Sequence, residues 1–261
     1  MTNSCNLGSE IHVWFLSTTK FNQYDIQRFY DTVLSSQEKK RANRLLFEES
    51  KKQFVASRYF LRSVLGRYLG CNPRRVSLGL GKHKKPILLK QPSPEKIFFN
   101  LSHSGNKCAL VVGNQEALGI DLEASEKARR FDSLSKRYFS ANEYESIVKL
   151  ESREKRERFY QLWTLKEAYA KASGNSLPVS LGKTSFSFDG ECISFERERS
   201  HGLYSDECCF LILHEIAGFK VSIVIISNDT KIFSDLRLKS FEFVSSDRYS
   251  ALDLKSKIIL N

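Results

Sequence analysis

No two cysteines in this chain are spaced Cys-x-x-Cys, and no apolar run comes near the length of a membrane span. The first absence removes the common zinc ribbons and fingers. The second removes a helical bilayer crossing, so no membrane partner is expected. Cys5, Cys71, Cys108, Cys192, Cys208 and Cys209 show no disulfide-framework spacing, and the adjacent pair Cys208-Cys209 would point to opposite sides of a strand. The opening Met-Thr-Asn-Ser-Cys lacks a basic stretch followed by an apolar one. No secretory leader is therefore expected, and a reducing cytoplasm is the expected compartment. Helix-turn-helix, zinc-finger and RNA-recognition signatures are also missing, which counts against a nucleic-acid partner.

What the chain does have is apolar bulk and positive charge. Its 261 residues fit one or two domains, and 41% hydrophobic residues, with 19 Phe, are enough to bury a core. Lys and Arg number 41 against 30 Asp and Glu, a formal charge of +11. Such a surplus fits a polyanionic partner: nucleic acid, an anionic membrane, a nucleotide-like ligand or an acidic protein. The cations crowd one early stretch, Lys39, Lys40, Arg41, Arg44, Lys51, Lys52, Arg58, Arg62 and Arg67. Most of these would do no more than solvate a helical face.

Periodicity predicts an opening strand over residues 11–16 and helices over 36–69, where Leu45, Leu46, Phe54, Val55, Tyr59, Leu61, Val64, Leu65 and Tyr68 recur at helical spacing. A basic loop around Pro86 covers residues 82–91, and a short strand begins at Ile97 and ends at Asn100. Strands are expected over 108–112 and 117–122. Ser140 and Glu143 form a capping box that opens a helix, broken near 151–154 and stopped by Ser173-Gly174. Strands follow over 186–188, 192–195, 209–214 and 221–226, and the last 30 or so residues carry no clear pattern. The fold class expected is α+β, in two halves of similar element order. No internal sequence identity supports a repeat.

Three constellations could carry chemistry. In Gly119-Ile120-Asp121-Leu122-Glu123, the carboxylates two apart share one strand face while Ile120 and Leu122 turn to the core. Two like charges so placed repel unless a cation or proton lies between them, and an all-oxygen donor set suits magnesium better than zinc. The same spacing also fits a strand end with two solvated acids. In the run Trp163 to Lys171, Glu167 and Lys171 are neighbours on one helix face, which also fits an ordinary surface pair. In Phe99 to Ser104, Asn100, Ser102 and His103 could cap a turn or donate to phosphate oxygens. Ser102 and His103 are adjacent on an extended chain and point apart, so they are not a nucleophile pair.

Order and spacing together are more specific. LGIDLE, then RYFSANEYESI, then FYQLWTLKEAYAKASGNSL resembles the signature of the 4'-phosphopantetheinyl transferases: Gly-x-Asp-x-Glu, Phe-Ser-x-x-Glu and Trp-x-x-Lys-Glu-Ala-x-x-Lys-x-x-Gly. FNLSHS, the Lys85-Pro86 loop and ASRYFLR resemble the longer, surfactin-synthetase-activating type of that family. The resemblance runs over about residues 36–226, and the tail after about residue 228 departs from it.

The resemblance implies the fold, the activity and the site. The fold would be a pseudodimer of two similar α+β halves with the active site in the cleft between them. Residues 1–117 would contact the coenzyme phosphates, 118–228 would carry the magnesium and catalytic motifs, and 229–261 would be a tail of unknown role. The enzyme would be a holo-[acyl-carrier-protein] synthase, a monomer. It would move 4'-phosphopantetheine from coenzyme A to a serine of an apo acyl, peptidyl or aryl carrier protein and release 3',5'-ADP. Asp121, Glu123 and Glu167 fall on the family's magnesium-binding acids. Lys171 falls on the lysine near the pyrophosphate. Ser102 and His103 fall on coenzyme-phosphate positions, His103 at the 3'-phosphate, and Lys39, Arg44, Arg58 and Lys85 lie near basic coenzyme-binding positions. For the base that deprotonates the serine, Glu167 is the first choice and Glu123 the second. The basic surface would attract a carrier's acidic recognition helix. The competing readings are a basic nucleic-acid-binding protein, another magnesium-dependent phosphohydrolase or nuclease, and a pseudoenzyme that only binds carriers.

Overall fold

The computed structural model describes residues 7–81, 85–91, 96–126, 131–175, 184–189, 192–197, 207–213, 216 and 218–260. The chain divides into two compact units, Met1–Asn114 with Leu238–Asp253, and Gln115–Arg237 with Leu254–Asn261.

In unit 1, strand β1 (Glu10–Ser17) is followed by helices α1 (Gln23–Thr32), α2 (Ser36–Ala42) and α3 (Glu48–Tyr68). A ribbon of β2 (Leu78–Leu80) and β3 (Pro86–Leu88) precedes β4 (Phe98–Ser104) and β5 (Lys107–Gly113). β1 pairs antiparallel with β5, and β5 with β4. The β4–β5 turn needs Gly105, whose φ of 55° lies in the left-handed region. Strand alternation sends Trp14, Leu16, Phe99, Cys108, Leu110 and Val112 into one core, where they meet Tyr59, Phe60, Val64, Leu65 and Tyr68 of α3.

Unit 2 repeats that order. Strand β6 (Ala117–Ala124) leads to α4 (Phe131–Tyr138), α5 (Ala141–Val148) and α6 (Ser152–Ser173). A ribbon of β7 (Thr184–Asp189) and β8 (Cys192–Arg197) then precedes β9 (Glu207–Leu213) and β10 (Phe219–Ser227). β10 lies between β6 and β9, antiparallel to both. Its core joins Phe159, Leu162, Trp163, Ala168 and Ala172 of α6 to Phe186, Phe210 and Val224. Both units therefore place their first strand beside their third and their third beside their second. The repeat is carried by topology, not by sequence identity.

The last residues do not form a separate tail. After a short helix α7 (Lys231–Ser234), β11 (Arg237–Phe243) and β12 (Tyr249–Leu252) extend the unit 1 sheet beyond β1, while β13 (Ser256–Leu260) pairs with β9 in unit 2. Phe243 is fully buried in the unit 1 core, and Phe241 stacks on Trp14 with ring centroids 4.6 Å apart.

Other local expectations also change. The helices expected over 36–69 are α2 and α3, while α1 and α4 were not foreseen. Residues 86–88 form a ribbon strand and not a loop, with Pro86 as the first residue, where its missing N–H costs least. The strand expected to end at Asn100 continues to Ser104, because every residue from Phe98 to Ser104 has a partner in β5. Gly174 closes α6 in the left-handed region, with φ 66°. Among the described residues, no helix is long and apolar enough to cross a membrane.

Candidate active site

The acidic strand of unit 2 lies under its long helix at backbone distance. A Cβ built on Gly119 would stand 2.1 Å from the carbonyl oxygen of Ala168 and 2.7 Å from the amide nitrogen of Ala172. Glycine in the strand and alanines in the helix are thus what let α6 approach β6. Beside that contact, Lys171 Nζ donates to Asp121 Oδ1 at 2.7 Å and to the Ile120 carbonyl at 3.1 Å. Asp121 is 5% exposed. Its cross-strand partner Ser222 exchanges a 2.8 Å hydrogen bond with Thr164 of α6. Thr164, Ala168, Lys171 and Ala172 therefore form the stripe of α6 that faces β6. Glu167, partly buried, falls within the same stripe one turn before Lys171. Glu123 shares the strand face of Asp121 and stands opposite Lys220. Among the described residues, no three His, Cys, Asp or Glu side chains are gathered closely enough to hold a metal ion. The Lys171 ammonium supplies a positive charge at Asp121.

The other side of α6 is pinned. Lys166 and Glu143 are fully buried and 2.8 Å apart. Lys166 also donates to the Thr184 carbonyl at 2.6 Å, while Glu143 accepts from the backbone N–H groups of Ser140 and Phe186. Burial lowers the Lys166 pKa, opposed by the charge of Glu143.

In unit 1 the predicted coenzyme residues separate into groups. His103 pairs across the sheet with Cys108, which faces the α3 core, so His103 lies on that face and is exposed. Ser102 pairs with Ala109 on the opposite face and is buried. Arg58 packs on the Phe54 ring and lies near Cys108, and among the described residues its buried Nε has no hydrogen-bond partner. Burial first, then the neighbouring Arg41 and Arg62, lowers its pKa. Arg41 stacks on the same Phe54 ring at 5.3 Å. Lys39 instead lies over Tyr30 and donates to the Asp31 carbonyl at 3.0 Å. Arg44 is exposed after α2, and Lys85 is partly buried before β3. Burial pushes the Cys108 thiol up to about 12, which makes it a packing group and not a nucleophile.

Sequence reasoning had not singled out Arg41, Thr164, Lys166 or Ser222. Arg41 meets Arg58 only because α2 folds back on α3, and no local pattern announces that. Lys166 had a signal: a lysine four residues after Leu162, on an apolar helix face, with a capping-box glutamate upstream.

Two family models cover most of the chain. One, described as the 4'-phosphopantetheinyl transferase superfamily, matches residues 117–224, and one described as 4'-phosphopantetheinyl transferase, N-terminal, matches residues 23–115. The 4'-phosphopantetheinyl transferase HetI of Nostoc sp. is 39% identical over 171 residues, 66% of this chain and 71% of that protein. A phosphopantetheinyl transferase of Thraustochytrium sp. is 27% identical over 69% of this chain and 67% of its own length. The 4'-phosphopantetheinyl transferase Sfp of Bacillus subtilis is 25% identical over 85% of this chain and 93% of its own.

Proposed function

The chain belongs to the 4'-phosphopantetheinyl transferase superfamily, and we propose that it acts as the longer, surfactin-synthetase-activating type does. It transfers 4'-phosphopantetheine from coenzyme A to a serine of an apo acyl, peptidyl or aryl carrier protein and releases 3',5'-ADP. The observation that carries the assignment of roles is the seating of α6 on β6, with the Lys171 ammonium 2.7 Å from Asp121.

The carrier serine oxygen forms a bond to the β-phosphorus of coenzyme A. The bond from that phosphorus to the bridging oxygen breaks, and the electron pair leaves with 3',5'-ADP. The serine proton goes to a carboxylate, for which Glu167 on the exposed side of its stripe is the first choice and Glu123 the second. Lys171, already drawn to this row of acids, adds positive charge where the leaving phosphate gains negative charge. Asp121, Glu123 and Glu167 are the acids that would hold magnesium: all three are oxygen donors, Asp121 and Glu123 share one strand face, and Asp121 already accepts from a cation. When bound, that ion would supply charge neutralisation at the pyrophosphate. In unit 1, the guanidinium of Arg58, with Arg41 over the same Phe54 ring, suits a phosphate, with His103 on the sheet face of Cys108 for the 3'-phosphate. Lys39, Arg44, Lys85 and Ser102 remain secondary contacts.

The pseudodimeric arrangement belongs to this reading, supported by the shared strand order and the separate core of each unit. So do the monomeric state, since both motif sets lie in one chain, and a cytoplasmic setting. The test is intact-mass spectrometry of several apo carriers after incubation with enzyme, coenzyme A and magnesium. A gain of one phosphopantetheine is expected, with Glu167→Ala and Asp121→Ala slowed by on the order of a hundredfold. No gain on any carrier, or full turnover in both variants, would remove the reading.

A further inference from the structure

Lys166 is the largest charged side chain sealed inside unit 2, and no step of the reaction uses it. Its partner Glu143 does two jobs. As the third residue of α5 it closes the capping box with Ser140, and it also pairs with Lys166 of α6. Unit 1 contains the same device. Glu38 is the third residue of the α2 capping box with Ser35, and it accepts from Arg62 Nε of α3 at 2.8 Å. Each cation stands fourteen residues after the first residue of its helix, Glu48 to Arg62 and Ser152 to Lys166. Each also reaches the backbone at the start of the following ribbon, Arg62 to the Val76 carbonyl at 2.9 Å and Lys166 to the Thr184 carbonyl at 2.6 Å.

We propose that Lys166 and Glu143 are positioning residues that fix the rotation of α6, and so aim Glu167 and Lys171 at the acidic strand; this rests on the transferase reading above. The physical need is specific. Glycine and alanine give α6 close approach to β6, but small residues offer no knob to stop the helix turning or sliding. The clasp supplies that stop from the other side, one residue away from Glu167, where a helix turns about 100° per residue. In unit 1 the matching clasp sets Arg58 one turn before Arg62, and Arg41 one turn after Glu38.

Stability and aim can be separated, because a buried ion pair is often replaceable by apolar residues of similar size without loss of stability. Lys166→Met alone strands the Glu143 charge, so a lowered melting temperature and lost turnover are expected. Lys166→Met with Glu143→Leu removes the stranded charge and should recover part of the melting temperature, the Ser140 and Phe186 N–H groups losing their acceptor, while kcat below the melting temperature stays down by about tenfold to a hundredfold, the scale of a small misplacement. KM for coenzyme A should stay within about threefold of wild type, less than the tenfold that one strong contact contributes. Lys166→Arg, the pair used in unit 1, should restore much of the kcat. A readout independent of turnover is the rate at which Lys171 is acetylated, followed by peptide mass. It should rise several-fold in the double variant as Lys171 loses Asp121. If the double variant, assayed below its melting temperature, turns over like wild type and leaves Lys171 protected, the clasp is scaffold only and the proposal fails. If the double variant does not fold, Glu143→Gln, assayed below its melting temperature, serves instead. A kcat equal to wild type would overturn the proposal, and a reduced kcat with KM retained would uphold it. A wild-type enzyme that modifies no carrier would overturn the transferase reading, leaving the labelling result to decide the clasp by itself.

Discussion

Helices α3 and α6 have 21 and 22 residues, follow the same short capped helix and are held by the same kind of clasp, yet they meet their sheets by opposite means. α3 stands on bulky side chains, with Tyr59, Phe60, Val64 and Leu65 filling the space above Trp14, Leu110 and Val112. Along β6, α6 rests on backbone, with Gly119 against Ala168 and Ala172. The difference follows from what each helix presents. Long guanidinium groups extend well beyond a helix held at ordinary distance, as those of Arg58 and Arg41 do around Phe54. Shorter carboxylates on a strand and a helix can serve one small cation only if the two backbones come close.

The comparison should break in opposite directions when the contacts are altered. Phe60→Ala opens a cavity under α3 and should cost about 3–5 kcal/mol. Gly119→Ala adds a single carbon where backbone already stands, and should cost about 1–3 kcal/mol while abolishing transfer through displacement of α6. Chemical denaturation of the two variants checks this pair, and a stable, active Gly119→Ala enzyme would refute the close-approach argument. A smaller effect is expected for the cation of unit 1. Arg58→Gln should raise KM for coenzyme A about tenfold, the worth of one charge-assisted hydrogen bond, with kcat little changed. Steady-state kinetics with coenzyme A and 3'-dephospho-coenzyme A would show whether the lost contact is to the 3'-phosphate or the pyrophosphate.

The smallest effect is confined to unit 1. Trp14 Nε1 donates to the Tyr68 hydroxyl at 2.8 Å, that hydroxyl shares a 2.7 Å hydrogen bond with His12 Nδ1, and His12 Nε2 lies 2.9 Å from the Glu10 carboxylate. Burial lowers the His12 pKa against the pull of Glu10, with Lys239 also facing the site. The unfolded chain therefore takes up the proton first as pH falls through about 6.5, and stability declines from there down to the folded pKa. Glu10, whose pKa is lowered by its bonds to Lys239 and His12, adds a further loss at more acid pH. Melting temperatures from pH 7 to pH 5 should fall, and His12→Gln should flatten that slope. An unchanged slope would place the acid sensitivity elsewhere.

Much of the site was legible because strand and helix periods are local. Gly-x-Asp-x-Glu puts both acids on one face by alternation alone, and the Ser140–Glu143 box and Gly174 stop stand where the sequence expects them. Helix α1 was also readable, from the Asn22–Asp25 box and the Ile26, Phe29, Val33 spacing, but went unassigned. What escaped depends on distant partners. β4 runs through polar Asn100, Ser102 and Ser104 because β5 supplies its hydrogen bonds, and β11 to β13 are late strands, β12 and β13 at sheet edges, whose pattern means little without β1 and β9. Ser102 and His103, expected by alternation to point apart, lie on opposite faces of β4.

The return of the last strands to both sheets has a consequence for how the protein is made. Lys20 and Glu242 form an ion pair 222 residues apart in sequence, and Phe243 lies in the core begun by β1. While the chain emerges from the ribosome at about 5–20 residues per second, the first unit waits tens of seconds with the outer edge of β1 uncovered. The second unit likewise waits for β13. Folding of the two halves is thus finished by one short closing segment, and a nascent chain halted before it would carry two open sheet edges able to pair with another chain.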